Sequence, residues 1–368
     1  MENLISKIDA LKKDGKKIIG AFPLYPPLEL FHSMGLIPVV LWGLKKHFPT
    51  VTNADKHIQS YACSIARHLA EFTLSEAGAM MDGLYIYNAC DTLRNMPELL
   101  TCGIKEVGRE LPLFRMHIPM TSPELTDTQD YLKNEVKFLI QRLEETYNKS
   151  FSGIKFKQST KLYGIQRRLA KEAEKKVAEG RISFVDYLKA SEENLYLPVE
   201  KQIDALEKLL LSNTKKQEQI NGNFVVLSGI IPPHESIIET IEEAGLRIVA
   251  NDIASLYRSI AVSPEETESA EEYYARFYAQ HFPCTTLLPS ANTRITALKN
   301  LLSDSNADGM IFIGEKFCEH EYFEFPYLEK QFREMDVKTL LLEFSIQDYD
   351  NIETYKTRIE AFAELLST

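Results

Sequence analysis

Residues 18–42 read IIGAFPLYPPLELFHSMGLIPVVLW, and this stretch decides the fold class. Its first apolar run, 18–22, predicts a buried strand. A helix begins at Pro26-Pro27 and ends at Gly35, and the run 37–42 predicts the next strand. Proline at the start of a helix and glycine just past its end are the positions that backbone geometry favours. A strand, a helix and a second strand in this order indicate a parallel α/β sheet.

The same succession occurs again far downstream, where residues 224–250 read FVVLSGIIPPHESIIETIEEAGLRIVA. Residues 224–227 predict a strand, Pro232-Pro233 begins a helix, Gly245 ends it, and 246–250 predict the following strand. The match between the two passages indicates that one α/β unit is repeated within the chain.

The repeat extends beyond these two units. Asp82-Gly83 leads into an apolar strand with Cys90 just beyond it, and Asp308-Gly309 leads into an apolar strand with Cys318 just beyond it. The two halves therefore predict equivalent strands, and each of these strands is followed by a cysteine.

These patterns predict an α/β fold of two Rossmann-like or flavodoxin-like lobes, each with a small parallel sheet. The first lobe spans residues 1–120 and the second spans 221–368, with closing strands at 113–118 and 339–344. Residues 121–220 have no strand pattern and carry apolar residues at helical spacing. They predict a helical insertion between the lobes.

Two helical segments are expected to differ in burial. Residues 161–180 are densely charged and polar, which predicts a helical arm surrounded by solvent. The last helix has Tyr355, Ile359 and Phe362 at helical spacing, so we expect it to pack on the second sheet.

The composition narrows the class of function. The chain has 368 residues and a net charge of −11, which argues against nucleic acid as the main partner because a phosphate backbone selects a basic surface. No apolar stretch is long enough to span a membrane, and the first residues lack the apolar core of a signal peptide. We therefore expect a cytoplasmic protein without a membrane partner.

The five cysteines point to metal binding, catalysis or burial, since a long cytoplasmic chain seldom uses a disulfide framework. Cys90 and Cys318 follow equivalent strands, at the sheet edge where parallel α/β folds bind ligands. Cys63 lies at a predicted helix start, where backbone N–H groups favour a thiolate. Three such thiolates suit an iron–sulfur cluster with one open iron. The alternatives are ordinary buried cysteines and, less well matched because the cysteines are far apart, zinc.

Several segments resemble the 2-hydroxyacyl-CoA dehydratase and benzoyl-CoA reductase family, and they occur in the family's order over nearly the whole chain. They are Tyr25-Pro26-Pro27-Leu28-Glu29-Leu30-Phe31-His32, Gly35-Leu36-Ile37-Pro38-Val39, Ala62-Cys63-Ser64, Cys90-Asp91-Thr92-Leu93, Asn251-Asp252-Ile253 and Lys316-Phe317-Cys318-Glu319. The resemblance implies that Cys63, Cys90 and Cys318 bind a 4Fe–4S cluster.

The resemblance also implies a function and partners. In this family an ATP-dependent iron–sulfur activator supplies one low-potential electron, which passes through two related subunits to an acyl-CoA substrate. A radical dehydratase then eliminates water from a (R)-2-hydroxyacyl-CoA to give a 2-enoyl-CoA under anaerobic conditions. The length of the chain resembles the smaller, beta-type subunit, which would work as a heterodimer or a homodimer. The sequence has no GxxxxGK[ST] phosphate loop, so ATP hydrolysis is expected in a partner.

The sequence departs from the family pattern at two places. Pro26-Pro27-Leu28-Glu29 stands where relatives often have a cysteine before Pro-Glu-Glu, and Asn251-Asp252 replaces the usual pair of aspartates. A benzoyl-CoA-reductase-like enzyme or a stand-alone ATP-dependent iron–sulfur reductase therefore stays open as an alternative. A cluster-free scaffold subunit is the alternative of another class.

Two further residues are candidates for a role at the site, and two other cysteines are not. Glu29 and His32 lie one turn apart on the first predicted helix, where they could contact substrate or act catalytically. For Glu29 the alternative is stabilisation of the helix start by its charge. Cys102 on a helix and Cys284 in a loop are expected not to bind the cluster, since free cysteines are commonly just buried.

Overall fold

The computed structural model describes residues 2–12, 15–22, 24–212, 222–287, 291–345 and 352–368 of the 368-residue chain. These residues form two four-stranded sheets in which all paired strands are parallel. The strands are β1 (Lys17–Ala21), β2 (Leu36–Val40), β3 (Gly83–Tyr87), β4 (Leu113–Met116), β5 (Asn223–Gly229), β6 (Leu246–Ile253), β7 (Gly309–Glu315) and β8 (Lys338–Phe344).

Helices surround both sheets and fill the segment between them. They are α1 (Glu2–Lys12), α2 (Leu28–Ser33), α3 (Ser64–Leu74), α4 (Glu76–Ala79), α5 (Asp91–Glu106), α6 (Thr126–Tyr147), α7 (Gly153–Ala178), α8 (Phe184–Asn194), α9 (Val199–Ser212), α10 (Glu235–Glu243), α11 (Tyr257–Ile260), α12 (Ala270–Ala279), α13 (Ala291–Ser305), α14 (Glu319–Arg333) and α15 (Ile352–Leu366). Over the described ranges, no helix is both long and apolar enough to cross a membrane.

The two sheets have the same topology, which confirms the predicted fold class of two Rossmann-like or flavodoxin-like α/β lobes. The strand order is β2-β1-β3-β4 in the first sheet and β6-β5-β7-β8 in the second. Each sheet thus arranges its strands in the same chain order, as an internal repeat requires.

The predicted helix ends are also present in both lobes. α2 follows Pro26-Pro27 directly, and Gly35 after it has a φ of +70°. α10 follows Pro232-Pro233 by one residue, and Gly245 after it has a φ of +80°. Glycine adopts this left-handed conformation without the steric cost that a side chain brings, so the chain can turn directly into β2 and β6.

The insertion between the sheets is helical, with α6, α7, α8 and α9 covering most of residues 126–212. The predicted solvated arm at 161–180 is wrong, because α7 packs one face against α2 and α9. The buried residues of α7 are Phe156, Ser159, Thr160, Tyr163, Arg167, Leu169, Ala170, Ala173 and Val177. Its charges lie mainly on the opposite face, apart from Arg167, which is buried with a carboxylate partner.

One helix from the second half of the chain belongs to the core of the first lobe. Tyr273, Tyr274 and Phe277 of α12 are buried in the same apolar cluster as Leu30 and Phe31 of α2. The lobes are therefore joined by shared core packing as well as by the chain. The domain boundaries at 120–121 and 220–221 stay a prediction, and the second of them lies outside the described residues.

The last helix, α15, packs against the second sheet. α15 packs Tyr355, Ile359 and Phe362 into an apolar cluster with residues of β5, β6 and β7. The expected position of the last helix is therefore confirmed.

Candidate functional site

Cys63, Cys90 and Cys318 occupy the same local position in three different segments. Each is the N-cap residue of a helix: Cys63 of α3, Cys90 of α5 and Cys318 of α14. α5 and α14 follow β3 and β7, the equivalent strands of the two sheets. The N-terminal end of a helix carries partial positive charge, so all three positions favour an anionic sulfur.

Backbone amides of the first helical turn face these sulfurs. The N–H of Leu93 donates a hydrogen bond to Cys90 Sγ at 3.4 Å. The N–H groups of Ala66 and Glu321, also three residues after their cysteines, oppose the effect of burial by lowering the pKa of Cys63 and Cys318. The side chains of these two cysteines form no capping hydrogen bond. In all three segments the backbone N–H three residues after the cysteine therefore faces its sulfur.

The three thiols lie within range of one another's charge. Burial raises the pKa of Cys63 to about 12, and Cys90 contributes to this shift. Burial also raises the pKa of Cys90, and it raises that of Cys318 well above its ordinary value. Cys63 and Cys90 add to the shift of Cys318. Without a cation the thiols are therefore held protonated, and three thiolates at this place require compensating positive charge.

Two hydrogen bonds near the thiols connect the first lobe to the second. The hydroxyl of Ser64, next to Cys63, donates to the carboxylate of Glu315 at the end of β7. His320 Nε2, two residues after Cys318, donates to the carbonyl oxygen of Ala89 at 2.8 Å. The chain before Cys90 and the chain after Cys318 are thus in direct contact. Cys63, Cys90 and Cys318 also pack against the same apolar core.

The carboxyl groups of Glu315 and Glu321, which precede and follow Cys318 in the chain, are both buried. Glu321 accepts hydrogen bonds from the backbone N–H groups of Ile230 at 2.8 Å and Glu315 at 2.7 Å. Burial raises the pKa of Glu321 to about 8. Sequence reasoning missed Ser64, Glu315, His320 and Glu321. An acidic residue in the first turn after Cys318 was the available signal for Glu321.

An open pocket lies beside the segments that carry Cys63 and Cys318. Its wall includes Ala62 and Ser64, which flank Cys63, and Phe317, which precedes Cys318. Arg67 also lines the pocket and pairs with Asp55, which fixes its guanidinium on the pocket wall. Phe317 has a φ of +66°, a left-handed conformation that is rare for a bulky residue, and its side chain is 60% exposed.

Cys102 and Cys284 have other surroundings. Cys102 is exposed on α5. Cys284 is completely buried, with Arg258 Nη1 at 3.1 Å and Thr286 Oγ1 at 3.2 Å from its sulfur. Neither contact belongs to the segments that carry the other three thiols.

Glu29 has a set of partners that accounts for its burial. Its carboxylate pairs with Arg167 of α7 and accepts hydrogen bonds from Tyr273 at 3.0 Å and Tyr274 at 2.8 Å. His32 bonds Ser159 on α7 through Nδ1 at 2.8 Å and Glu200 on α9 through Nε2 at 3.1 Å. These contacts join α2 to the insertion and to α12. A catalytic role for Glu29 and His32 stays a prediction.

Across the described ranges, no group of three or more histidine, cysteine, aspartate or glutamate side chains is arranged to hold a metal ion. Ligands of one ion must all reach a single centre, whereas each cysteine of an iron–sulfur cubane binds its own iron atom. The 4Fe–4S cluster on Cys63, Cys90 and Cys318 stays a prediction.

Comparison with known proteins identifies the family. Residues 23–366 match the family described as 2-hydroxyglutaryl-CoA dehydratase, D-component. The chain belongs to this family. The resemblance inferred from the sequence motifs is thereby confirmed, together with the enzyme class of a dehydratase component, a lyase.

Individual relatives align over almost their whole length. The (R)-phenyllactyl-CoA dehydratase beta subunit of Clostridium sporogenes is 25% identical, over 97% of this chain and 93% of its own. The (R)-2-hydroxyglutaryl-CoA dehydratase beta subunit of Acidaminococcus fermentans is 27% identical, over 96% and 94%. A benzoyl-CoA reductase subunit of Thauera aromatica is 23% identical, over 90% and 86%.

Proposed function

We propose that this chain is the iron–sulfur subunit of an ATP-activator-dependent radical (R)-2-hydroxyacyl-CoA dehydratase, with a 4Fe–4S cluster on Cys63, Cys90 and Cys318. The observation that carries the proposal is the common placement of these thiols as N-caps of three helices, within range of one another's charge. When bound, the cluster would relay a low-potential electron for elimination of water to a 2-enoyl-CoA.

The chain's own groups fit this role. The helix N-termini at Cys63, Cys90 and Cys318 stabilise negative charge on the sulfurs. Burial makes bare thiolates costly, so binding to iron is the condition under which the sulfurs lose their protons. A pocket lined by Ala62, Ser64 and Phe317, the chain neighbours of Cys63 and Cys318, lies beside the proposed site.

The proposed partners are a related subunit, an ATP-dependent iron–sulfur activator and an acyl-CoA substrate. All of the named relatives are described as single subunits of larger enzymes, which supports a second subunit, either in a heterodimer or in a homodimer. The absence of a GxxxxGK[ST] loop from the sequence supports an activator that hydrolyses ATP elsewhere.

A reductase is the second candidate function, because one of the relatives is part of a benzoyl-CoA reductase. The same electron would then reduce a ring and no water would leave. A stand-alone ATP-dependent iron–sulfur reductase is a variant of this candidate. A cluster-free scaffold is disfavoured because the chain keeps all three cysteines at helix starts.

The test is an anaerobic assay of the purified complex with its activator, ATP, a strong reductant and a panel of 2-hydroxyacyl-CoA thioesters, with benzoyl-CoA in a parallel reaction. We expect loss of water that depends on both ATP and activator, and a Cys90→Ala complex as matched control should be inactive. Equal loss of water without ATP or activator would refute the radical route and indicate a Lewis-acid hydratase. A colourless, iron-free protein would favour the scaffold.

A further inference from the structure

The relative position of the three thiols depends on how the lobes meet. Cys63 and Cys90 begin helices of the first lobe, whereas Cys318 begins a helix of the second. A small shift between the lobes would move Cys318 while leaving the Cys63–Cys90 pair unchanged. Any group that requires all three sulfurs therefore requires a fixed contact between the lobes at this place.

Ser64 and His320 make such contacts from opposite sides. Ser64 belongs to the first lobe and donates to Glu315 of the second. His320 belongs to the second lobe and donates to Ala89 of the first at 2.8 Å. Two bonds at separate points limit the separation of the lobes and restrict their relative rotation more than a single bond does. Each donor lies within two residues of a thiol.

We infer that Ser64 and His320 are positioning residues that fix Cys318 against Cys63 and Cys90. This inference rests on the proposed function, and it adds that the bonds set the spacing of the sulfurs before any cluster is present. In this role the two side chains act through the backbone of the thiol-bearing segments and need not touch iron or substrate.

Other contacts hold the lobes together, so loss of these two bonds should leave the fold intact. Tyr273 and Tyr274 of α12 bond Glu29 of the first lobe, and α12 is buried in the core of that lobe. Variants at Ser64 and His320 are therefore expected to fold and to loosen only the edge where the thiols meet.

The experiment measures sulfur proximity in the protein without iron. Full-length chain carrying Cys102→Ser, prepared anaerobically with chelator, is treated with dibromobimane, which becomes fluorescent when it bridges two neighbouring thiols. Mass spectrometry of the digest separates the Cys63–Cys90 bridge from bridges that include Cys318. The first lies within one lobe and serves as an internal reference.

We expect the Ser64→Ala, His320→Ala double variant to form bridges to Cys318 at least about tenfold more slowly, with the Cys63–Cys90 bridge unchanged. The single His320→Ala variant should also bridge Cys318 more slowly than wild type. His320→Gln should recover most of that lost rate, because the glutamine amide can donate to the Ala89 carbonyl. Thr101→Ala, which removes a hydroxyl-to-carbonyl bond of 2.7 Å inside α5, is the matched control and should have no effect.

A double variant that bridges Cys318 at the wild-type rate would overturn the inference and leave the proposed function standing. Wild-type protein that binds no iron when it is reconstituted anaerobically with iron and sulfide would overturn the proposed function itself. As a second readout, the double variant reconstituted with iron and sulfide should show a lower iron content and, after reduction with a strong reductant, a broadened cluster EPR signal. Thermal unfolding close to wild type confirms that the variants are folded.

Discussion

Glu29 on α2 and Arg167 on α7 form an ion pair with side chains only 1% and 5% exposed. Tyr273 donates to Glu29, and Arg167 Nη1 donates to the Tyr273 hydroxyl oxygen at 3.1 Å. Burial lowers the pKa of Arg167, but the adjacent Glu29 carboxylate more than reverses this effect. The pair thus joins the first lobe, the insertion and α12 through groups that are charged inside the protein.

Arg167→Met is expected to destabilise the protein by about 3–5 kcal/mol, because it leaves the Glu29 carboxylate buried without its partner. Chemical unfolding in urea measures the change. Arg115→Met is the matched control: its pair with Glu98 is exposed, so the cost should stay below about 1 kcal/mol. Equal costs for the two variants would contradict the structural role assigned to Glu29.

The stability of the protein should depend on the protonation of Glu174. Burial raises the pKa of this carboxyl to about 7, although hydrogen bonds from Tyr187 and Asn251 oppose the shift. Because the pKa is raised, the protonated Glu174 carboxyl contributes fully to the free energy of unfolding below about pH 4.5. This contribution is lost as pH rises through about 7. The loss stays below ~3 kcal/mol because part of the residue is in contact with solvent.

Glu174→Gln removes this titration. Relative to wild type, the variant should therefore become more stable as pH rises from about 5 to 8, as measured by urea unfolding at several pH values. Below pH 4.5 both side chains are neutral and the difference between the proteins should be flat. A difference that is constant over the whole range would show that folding does not shift the pKa of Glu174.

The iron content should depend on three of the five cysteines. Anaerobically purified protein should be brown, with broad absorbance near ~400 nm. Cys90→Ala should lose most of the iron, and Cys102→Ala and Cys284→Ala should retain nearly all of it. Iron analysis and absorbance measure the effect. Bleaching by Cys284→Ala would contradict this assignment and make Cys284, whose sulfur contacts Arg258 and Thr286, a ligand.

Phe317 offers a test of backbone strain beside the thiols. Its φ of +66° costs about 1–2 kcal/mol for a residue with a side chain, and its ring is largely exposed. Phe317→Gly should therefore leave the unfolding free energy unchanged or raise it by up to about 1 kcal/mol. Phe323→Gly is the opposite control, because Phe323 is 82% exposed inside α14 and glycine there should cost about 1 kcal/mol. Destabilisation by both would contradict the strain assigned to Phe317 and indicate that its ring contributes packing that glycine cannot replace.

Local sequence patterns were sufficient for the repeat and for the neighbourhood of the thiols. Apolar runs, paired prolines and glycines predicted equivalent strands, and the strand ends placed Cys90 and Cys318 at matching positions. The N-cap position of Cys63 also followed from a local pattern. These features depend on residues close together in the chain, which is why single-sequence reasoning finds them.

Other features depend on contacts between distant segments. Ser64 and Glu315 are 251 positions apart, and Ala89 and His320 are 231 apart, so no local pattern relates them. The charged surface of α7 suggested a solvated arm because the partner that neutralises Arg167 lies on α2. Tertiary pairing decides such cases, and spacing within one helix does not reveal it.

The burial of α12 in the first lobe has a consequence for biosynthesis. Tyr273, Tyr274 and Phe277 complete a core whose other members lie mostly within the first 156 residues. On the ribosome the N-terminal half therefore waits for the chain beyond residue 279 before its hydrophobic interior can close. During that interval its apolar surface is open to chaperones, and a gene fragment that ends at residue 212 should yield an aggregating product.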